Sequence, residues 1–341
     1  MTDQIKWGIL GNAMIARKCV IGAIQKSCNG RVHALATRSP GNATKVVSEN
    51  GIGKVYDSYD ALLADSEVDA VYVPLPNHMH LPWTLRALSA GKHVLCEKPL
   101  ACDAREARQM ASEANASGLH LMEAFMYRFH PRSRRIKQTV DQGAIGQPCL
   151  VRSAFCFHMD ENILRSGDNA RLKPEMGGGA LLDVGCYSVS VARWLMAAEP
   201  TAVQAQATYH PDGADIHMVG TLRFEEKKMA VFEASFISAL QQTYTVVGMD
   251  GAIELPHNAF IPWEKEAVYT LRNQDEEVGE KHVIQGTDEY RLMVEHFADT
   301  VLGRTELDVT PDDSIANMRV LDALSKAAKS GNTVHLKPCN S

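Results

Sequence analysis

Three side chains in this sequence have the types and settings that proton transfer needs: Lys98, Asp183 and Tyr187. Lys98 sits in Glu97-Lys98-Pro99, directly after the apolar run His93-Val94-Leu95-Cys96. That run reads as a short buried strand, stopped by a proline that cannot donate to a ladder. In an open parallel sheet the C-terminal strand edge faces the ligand crevice, so an ammonium there is placed for chemistry. Asp183 and Tyr187 lie in Gly177-Gly178-Gly179-Ala180-Leu181-Leu182-Asp183-Val184-Gly185-Cys186-Tyr187, where three glycines open a helix that continues to Leu195. The glycines let the backbone approach something closely, and the four-residue spacing puts an acid and a phenol on one helical face. A phenol with a pKa of about 10 is a poor base at neutral pH, and a nearby ammonium lowers that value. Each residue also has a plainer reading: a solvated strand-end charge, a charge at a helix start, and a packed ring.

A second chemical signal opens the chain. Ile5 to Leu10 reads as a strand, Gly11-Asn12-Ala13 as a tight turn, and Met14 to Gln25 as a helix. Gly11-x-Ala13-x-x-Ala16 matches the dinucleotide fingerprint with alanine at its second and third small positions. The first position permits the sharp turn and the second lets backbone approach a pyrophosphate, which backbone amides and the helix dipole then favour. The next strand, Val32 to Thr37, runs into Thr37-Arg38-Ser39-Pro40, with no acid between Arg31 and Lys45. An acid at this strand end would accept from a ribose of NAD; Arg38 beside Ser39 suits a dianionic 2'-phosphate, so NADP(H) is expected over NAD(H).

These residues need elements to position them. Across the first third, strands (Asp69 to Val73, His93 to Cys96, Leu119 to Glu123) alternate with helices (Leu81 to Ala90, Asp103 to Ser117), which specifies a doubly wound parallel sheet. After Glu123 the character changes to long strand-like runs: Cys149 to His158, Val203 to Tyr209, His217 to Phe224, Met229 to Ser238, Thr243 to Gly248 and Val268 to Leu271. Turn material such as Pro211-Asp212-Gly213 and Asp250-Gly251 links them, so a largely antiparallel sheet is expected. The expected fold is therefore α/β, residues 1–122 forming a nucleotide-binding domain and 123–341 an α+β substrate and oligomerisation domain. The helix 312–330, begun by Thr310-Pro311 and buried through Met318, Leu321, Leu324 and Ala328, is expected to pack back on the first domain.

Composition narrows the class. At 341 residues and 45% apolar content the chain can build two cores, and a net charge of -6 without a basic stripe longer than Arg132 to Arg135 argues against nucleic acid. The eight cysteines contain no CxxC pair, so free thiols are expected. Met1-Thr2-Asp3-Gln4 enters a strand without a signal core, and no apolar stretch reaches membrane length, so a cytoplasmic, soluble protein is expected. His78 and His80, two apart at a helix start, point different ways and have no third ligand nearby, so no metal is expected.

Taken in order, the Gly11 turn, Glu97-Lys98-Pro99, the run Glu123-Ala124-Phe125-Met126-Tyr127-Arg128-Phe129-His130-Pro131 and Gly177 to Tyr187 resemble the Gfo/Idh/MocA oxidoreductase family along essentially the whole chain. Tyrosine rather than histidine at 187 resembles the branch holding glucose-fructose oxidoreductase, dihydrodiol dehydrogenases and NADP-dependent aldose dehydrogenases. The resemblance implies a Rossmann domain, a second domain whose outer sheet face makes a homodimer or homotetramer, and hydride exchange with a sugar or polyol. Cofactor contacts are then expected from Gly11, Asn12, Ala13, Met14, Ile15, Arg38, Ser39, Pro74, Leu75, Pro76, Asn77, His80, Glu97, Lys98 and Arg128, and substrate contacts from Phe155, Asp183 and Tyr187. Tyr187 is expected as general acid/base, Lys98 as its electrostatic partner and Asp183 as the group orienting sugar hydroxyls, with no metal required. Met126 stands where some dihydrodiol dehydrogenases carry an aromatic wall, which sets that substrate class second. A non-catalytic NADPH sensor is the alternative of another class, against which the retained acid/base set argues.

Overall fold

The computed structural model describes residues 4–262 and 266–337, so the leaderless start read from Met1-Thr2-Asp3 lies outside the described residues. Contacts divide the chain into two units, Met1–Phe129 with Asp288–Ile315, and His130–Thr287 with Ala316–Ser341. The sequence placed a boundary between 122 and 123 and expected the helix 312–330 to pack back on the first domain; the contacts put Asp288–Ile315 with the first unit and Ala316–Ser341, with most of that helix, in the second. The return of Asp288–Ile315 has a packing reason: Trp7 packs against Phe297 of the helix Glu289–Val301 with ring centroids 5.4 Å apart, and Asn29 Nδ2 donates to the Glu295 carbonyl and to Asp299 Oδ1 at 2.8 and 2.9 Å.

Six strands build the first unit: β1 (Ile5–Leu10), β2 (Gly30–Ala36), β3 (Lys54–Tyr56), β4 (Ala70–Val73), β5 (His93–Cys96) and β6 (Leu121–Glu123). All pairs are parallel, in the order β3-β2-β1-β4-β5-β6. β4 is buried from end to end and β1 nearly so, the mark of a parallel sheet covered on both faces. This is the doubly wound Rossmann arrangement. Its strand order reverses between β1 and β4, where the crevice beyond the strand ends takes a ligand.

The second unit carries β7 (Pro148–His158), β8 (Ala202–Tyr209), β9 (Asp215–Arg223), β10 (Met229–Ser235), β11 (Ile237–Gly248), β12 (Gly251–Leu255), β13 (Ala267–Asn273), β14 (Glu280–Ile284) and β15 (Val334–His335). They form one sheet in the order β14-β13-β12-β11-β7-β10-β9-β8-β15, antiparallel except for the β7–β10 pair. The helix Cys186–Met196 packs on β7 and β10. β12, β14 and β15 escaped the sequence reading: β12 is a five-residue strand that follows directly on the Asp250-Gly251 turn, and the other two are edge strands, one charged (Glu280, Lys281) and the other two residues long. The helix Pro311–Ser330 starts as expected, with Thr310 Oγ1 accepting from the Asp313 amide at 3.2 Å. Met318, Leu321 and Leu324 are buried, while Ala327 rather than Ala328 completes the face. No disulfide forms among the described residues, and no described helix is long and apolar enough to cross a membrane.

Candidate functional site

The glycine turn leads straight off β1. Gly11 has φ of +110°, its amide donates to the Ala36 carbonyl at 2.9 Å, and a Cβ there would meet Leu75 Cδ2 at 3.0 Å. The backbone conformation favours glycine, and a Cβ would crowd the Leu75 side chain. The expected helix opens with a π-helical turn, Ala16–Val20, before the α-helix Ile21–Lys26, a widening frequent at functional sites. Met14 is exposed, Asn12, Ala13 and Ile15 half-buried, and Asn12 Nδ2 donates to the Asn42 carbonyl at 3.1 Å. Beyond β2, Thr37, Arg38 and Ser39 join Asn12, Arg17, Asn42 and Tyr59 around a cavity of about 530 Å³. No carboxylate lines it, and neither Arg17 nor Arg38 is hydrogen-bonded or ion-paired through its guanidinium among the described residues. Two uncommitted guanidiniums fit a dianion, so the residues present accept a 2'-phosphate. Arg38 and Ser39 were legible; Arg17 was passed over, since one cation on a helix reads as solvated charge.

At the β5 end, Glu97 holds the turn that carries Lys98. Its Oε1 accepts from the buried Tyr72 hydroxyl at 2.6 Å and its Oε2 from the Lys98 amide at 3.3 Å. Burial, with the Glu97 charge beside it, pushes the Tyr72 hydroxyl well above its ordinary pKa, so it stays a donor. Glu123, buried at the end of β6, accepts from the Leu100 amide at 2.9 Å, and the Lys98-Pro99 peptide is cis. His80 is a correction to the sequence reading. It was expected to touch the cofactor, yet it is fully enclosed, with Nε2 on the Leu75 carbonyl at 2.7 Å and Nδ1 on the Pro99 carbonyl at 3.0 Å. It ties the Pro74-Leu75-Pro76-Asn77 loop to the Glu97-Lys98-Pro99 turn. Burial first, and the Lys98 charge after it, push its pKa down to about 4, so the ring is neutral near pH 7 and donates to one of the two carbonyls. Arg128 is likewise engaged, its Nη1 3.2 Å from Asp313 Oδ2, which pins the start of the last helix.

His33, Asp65 and Glu67 bring three ligand atoms within 4.8 Å of one another. The Lys54 ammonium already bridges that pair of carboxylates at 3.0 and 2.8 Å, so the cluster is an ion-pair network.

In the second unit the expected acid and phenol open the helix that packs on β7. A π-helical turn, Leu181–Gly185, carries Asp183, and the α-helix Cys186–Met196 carries Tyr187. The bonds of a π turn span five residues, so the four-residue spacing does not give the simple one-face alignment expected of an α-helix. Tyr187 is 4% exposed and packs against Phe155 of β7 at 5.2 Å and Phe260 at 5.4 Å, those two rings stacking on each other at 5.5 Å. Phe260 was missed because nothing in its loop reads as an element. The loop is nonetheless fixed: Arg132 Nη2 donates to the Asn258 and Ala259 carbonyls at 2.6 and 2.7 Å, and Gln242 Oε1 accepts from the Ile261 amide at 3.0 Å. Arg132, which opens the chain's longest basic cluster, is 1% exposed.

Asp183 Oδ2 accepts from Arg171 Nε at 2.6 Å, and this charge pair raises the guanidinium's pKa further. The three glycines also differ from expectation: their close approach is to the chain itself. A Cβ on Gly178 would stand 2.6 and 2.7 Å from the Arg171 and Ala170 carbonyl oxygens, and one on Gly179, at φ of +123°, would strike the Asp215 carboxylate. The Gly179 amide donates to the Arg171 carbonyl at 2.8 Å, and Asp215 Oδ2 accepts from the Leu181 amide at 2.7 Å.

Comparison with known proteins agrees with this anatomy. Residues 5–125 match the model described as an oxidoreductase family, NAD-binding Rossmann fold, and residues 133–254 the one described as a GFO/IDH/MocA C-terminal domain. The chain is 38% identical over 331 residues to a D-xylose 1-dehydrogenase (NADP(+)) of Haloferax volcanii, covering 97% of this chain and 99% of the relative. A trans-1,2-dihydrobenzene-1,2-diol dehydrogenase of Danio rerio is 33% identical over 260 residues, 76% of each chain. A solved 3-ketoreductase of Actinomadura kijaniata, in complex with NADP and TDP-benzene, superposes with a TM-score of 0.87 at 30% identity, covering 95% of this chain and 98% of that one.

Proposed function

This chain belongs to the Gfo/Idh/MocA family of NAD(P)-dependent oxidoreductases acting on CH–OH groups, and on that premise we propose that it is an NADP(H)-dependent aldose or polyol dehydrogenase. NADP-linked redox chemistry on hydroxyl or keto groups of sugars or nucleotide sugars is supported by the D-xylose 1-dehydrogenase (NADP(+)) and by the 3-ketoreductase solved with NADP and TDP-benzene. The single observation that carries the finer reading is the buried phenol of Tyr187 at a helix start, walled by Phe155 and Phe260 and accompanied by Asp183.

Arg17, Arg38 and Ser39 would hold the 2'-phosphate, and Gly11, Asn12, Ala13, Met14 and Ile15 the pyrophosphate turn, with Pro74 to Asn77 and Glu97-Lys98 alongside. When bound, the nicotinamide supplies the hydride acceptor in one direction and the donor in the other. The chain's own residues handle the proton. Tyr187 takes it from the reacting hydroxyl during oxidation and returns it to the carbonyl oxygen during reduction. Lys98 donates to that oxygen and stabilises the negative charge that develops on it, the role a metal plays in other alcohol dehydrogenases. Asp183 accepts from neighbouring hydroxyls and so orients the sugar. The open face of the nine-stranded sheet would join two or four copies: Met229, Leu150 and Val247 lie in register across β10, β7 and β11, Met229 exposed and the other two partly exposed.

A second reading has its own observation. Phe155, Phe260 and Tyr244 form an aromatic cluster around Tyr187, which suits the ring of a trans-dihydrodiol even though Met126 is buried in the first unit. One panel separates the readings: pentoses, hexoses, inositols and a trans-dihydrodiol assayed with NADP and with NAD. Turnover of aldoses with NADP is expected. Turnover of the dihydrodiol alone favours the second reading, and cofactor binding with no turnover of any substrate would leave only a sensor.

A further inference from the structure

We propose that Arg171 and Asp183 act together as a reader of adjacent hydroxyl groups, so that the substrate of this enzyme is selected as a vicinal diol and Arg171 is a specificity-determining residue. The inference deepens the proposed function and rests on it. Its basis is the division of labour within one guanidinium. Arg171 gives Nε to Asp183 Oδ2 at 2.6 Å, while its two Nη amino groups make no hydrogen bond or ion pair with any described residue. The Arg171 side chain is 44% exposed and that of Asp183 17%, so a carboxylate acceptor and guanidinium donors stand side by side and in reach of solvent.

A diol has the complementary pattern. One hydroxyl donates to the carboxylate, and its neighbour accepts from an Nη group, each bond being charge-assisted. A lone secondary alcohol can satisfy only one half. Because the ion pair is close to neutral as a whole, it selects for paired hydroxyls without selecting for an anionic substrate. A site built to hydrogen-bond a hydroxyl rejects the analogue lacking it, since a buried or partly buried polar group is then left without a partner.

The arrangement is also built into the fold. The Arg171 carbonyl accepts from the Gly179 amide at 2.8 Å, and Gly178 packs so closely on the Ala170 and Arg171 carbonyls that any larger residue would push them away. The glycine triplet thus fixes the backbone of the arginine to the same helix start that carries the aspartate. Arg171 was passed over in the sequence because it precedes the glycines by a run, Leu172 to Met176, with no periodic pattern.

The test crosses two variants with a series of substrates. The parent, Arg171→Gln and Arg171→Lys proteins are assayed for NADP reduction with the best aldose or polyol and with each of its monodeoxy analogues, and NADPH binding is titrated separately. The parent is expected to lose about 10-fold to 100-fold in kcat/KM on each of the two deoxy analogues that lack one of the adjacent hydroxyls. Arg171→Gln should lose a similar factor on the full substrate, mainly in KM, and then barely distinguish it from the analogue that lacks the hydroxyl facing Arg171, with NADPH affinity unchanged. Arg171→Lys, which keeps a cation beside Asp183 but not the fork, should recover part of the KM and little of the discrimination. Discrimination retained in Arg171→Gln overturns the inference while leaving the dehydrogenase reading standing. A parent that turns over no hydroxylated substrate overturns both.

Discussion

On the proposed function, cofactor choice comes down to one strand end. Where a carboxylate after β2 would repel a phosphate, this chain presents Arg38 and Ser39, and Arg17 reaches the same cavity from the helix after the glycine turn. Each charge-assisted contact to a phosphate is worth about 1.5–3 kcal/mol, so Arg38→Ala should weaken NADPH binding about 10-fold to 100-fold and leave NADH binding nearly unchanged. Fluorescence titration with both cofactors checks this; equal loss for both would show that Arg38 serves the fold. Arg38 was legible because a missing acid at a fixed place is a chemical signal in its own right. Arg17 was not, since its meaning depends on which way one helical turn faces. Tyr187 and Asp183 stood out in the sequence by residue type, though the π turn removes the alignment their spacing suggested, and Arg171 lies outside the motif and reaches Asp183 only through the folded turn.

Individual elements show why some expected ligand contacts are internal ones. His80, at the start of the helix His80–Ser89, has its ring nitrogens 2.7 and 3.0 Å from carbonyls of two loops and, as a neutral ring, donates to one of them. From sequence, a histidine after Pro74-Leu75-Pro76-Asn77 cannot be told from a cofactor ligand, because burial is a property of the packed loops. That burial has a pH consequence. The folded pKa is about 4 against 6.5 for the ordinary ring, so as pH falls the unfolded chain takes up the proton first. The contribution of His80 is therefore fully present above pH 6.5 and is lost as pH falls toward 4, by about 3 kcal/mol in all. Melting temperatures from about pH 7 to about pH 5 should fall less steeply in His80→Asn than in the parent. Parallel slopes would mean that His80 does not stay neutral in the folded protein. The glycine triplet carries the same lesson: its closeness to something was readable, but what it approaches is the turn bearing Arg171.

At the scale of the whole molecule, both sheets were anticipated in kind, because alternating strands and helices force parallel pairing and short turns force antiparallel pairing. The parallel β7–β10 pair and the return of Asp288–Ile315 to the first unit were not, since long-range pairing leaves little mark on local pattern. The second sheet's open face makes a prediction of its own: Leu150→Glu, placed in the Met229–Leu150–Val247 row, should shift a dimer or tetramer to monomer in sedimentation velocity with the fold retained. A parent that sediments as a monomer would contradict the assembly. The proposed function assigns cofactor selection to residues of the first unit and proton transfer to Tyr187 of the second, and Tyr187→Phe tests this most directly. Measured as NADP reduction on the best aldose with cofactor saturating, turnover should fall about 100-fold to 10,000-fold while NADPH binds as in the parent. Turnover close to the parent's, with chemistry limiting the rate, would contradict the account.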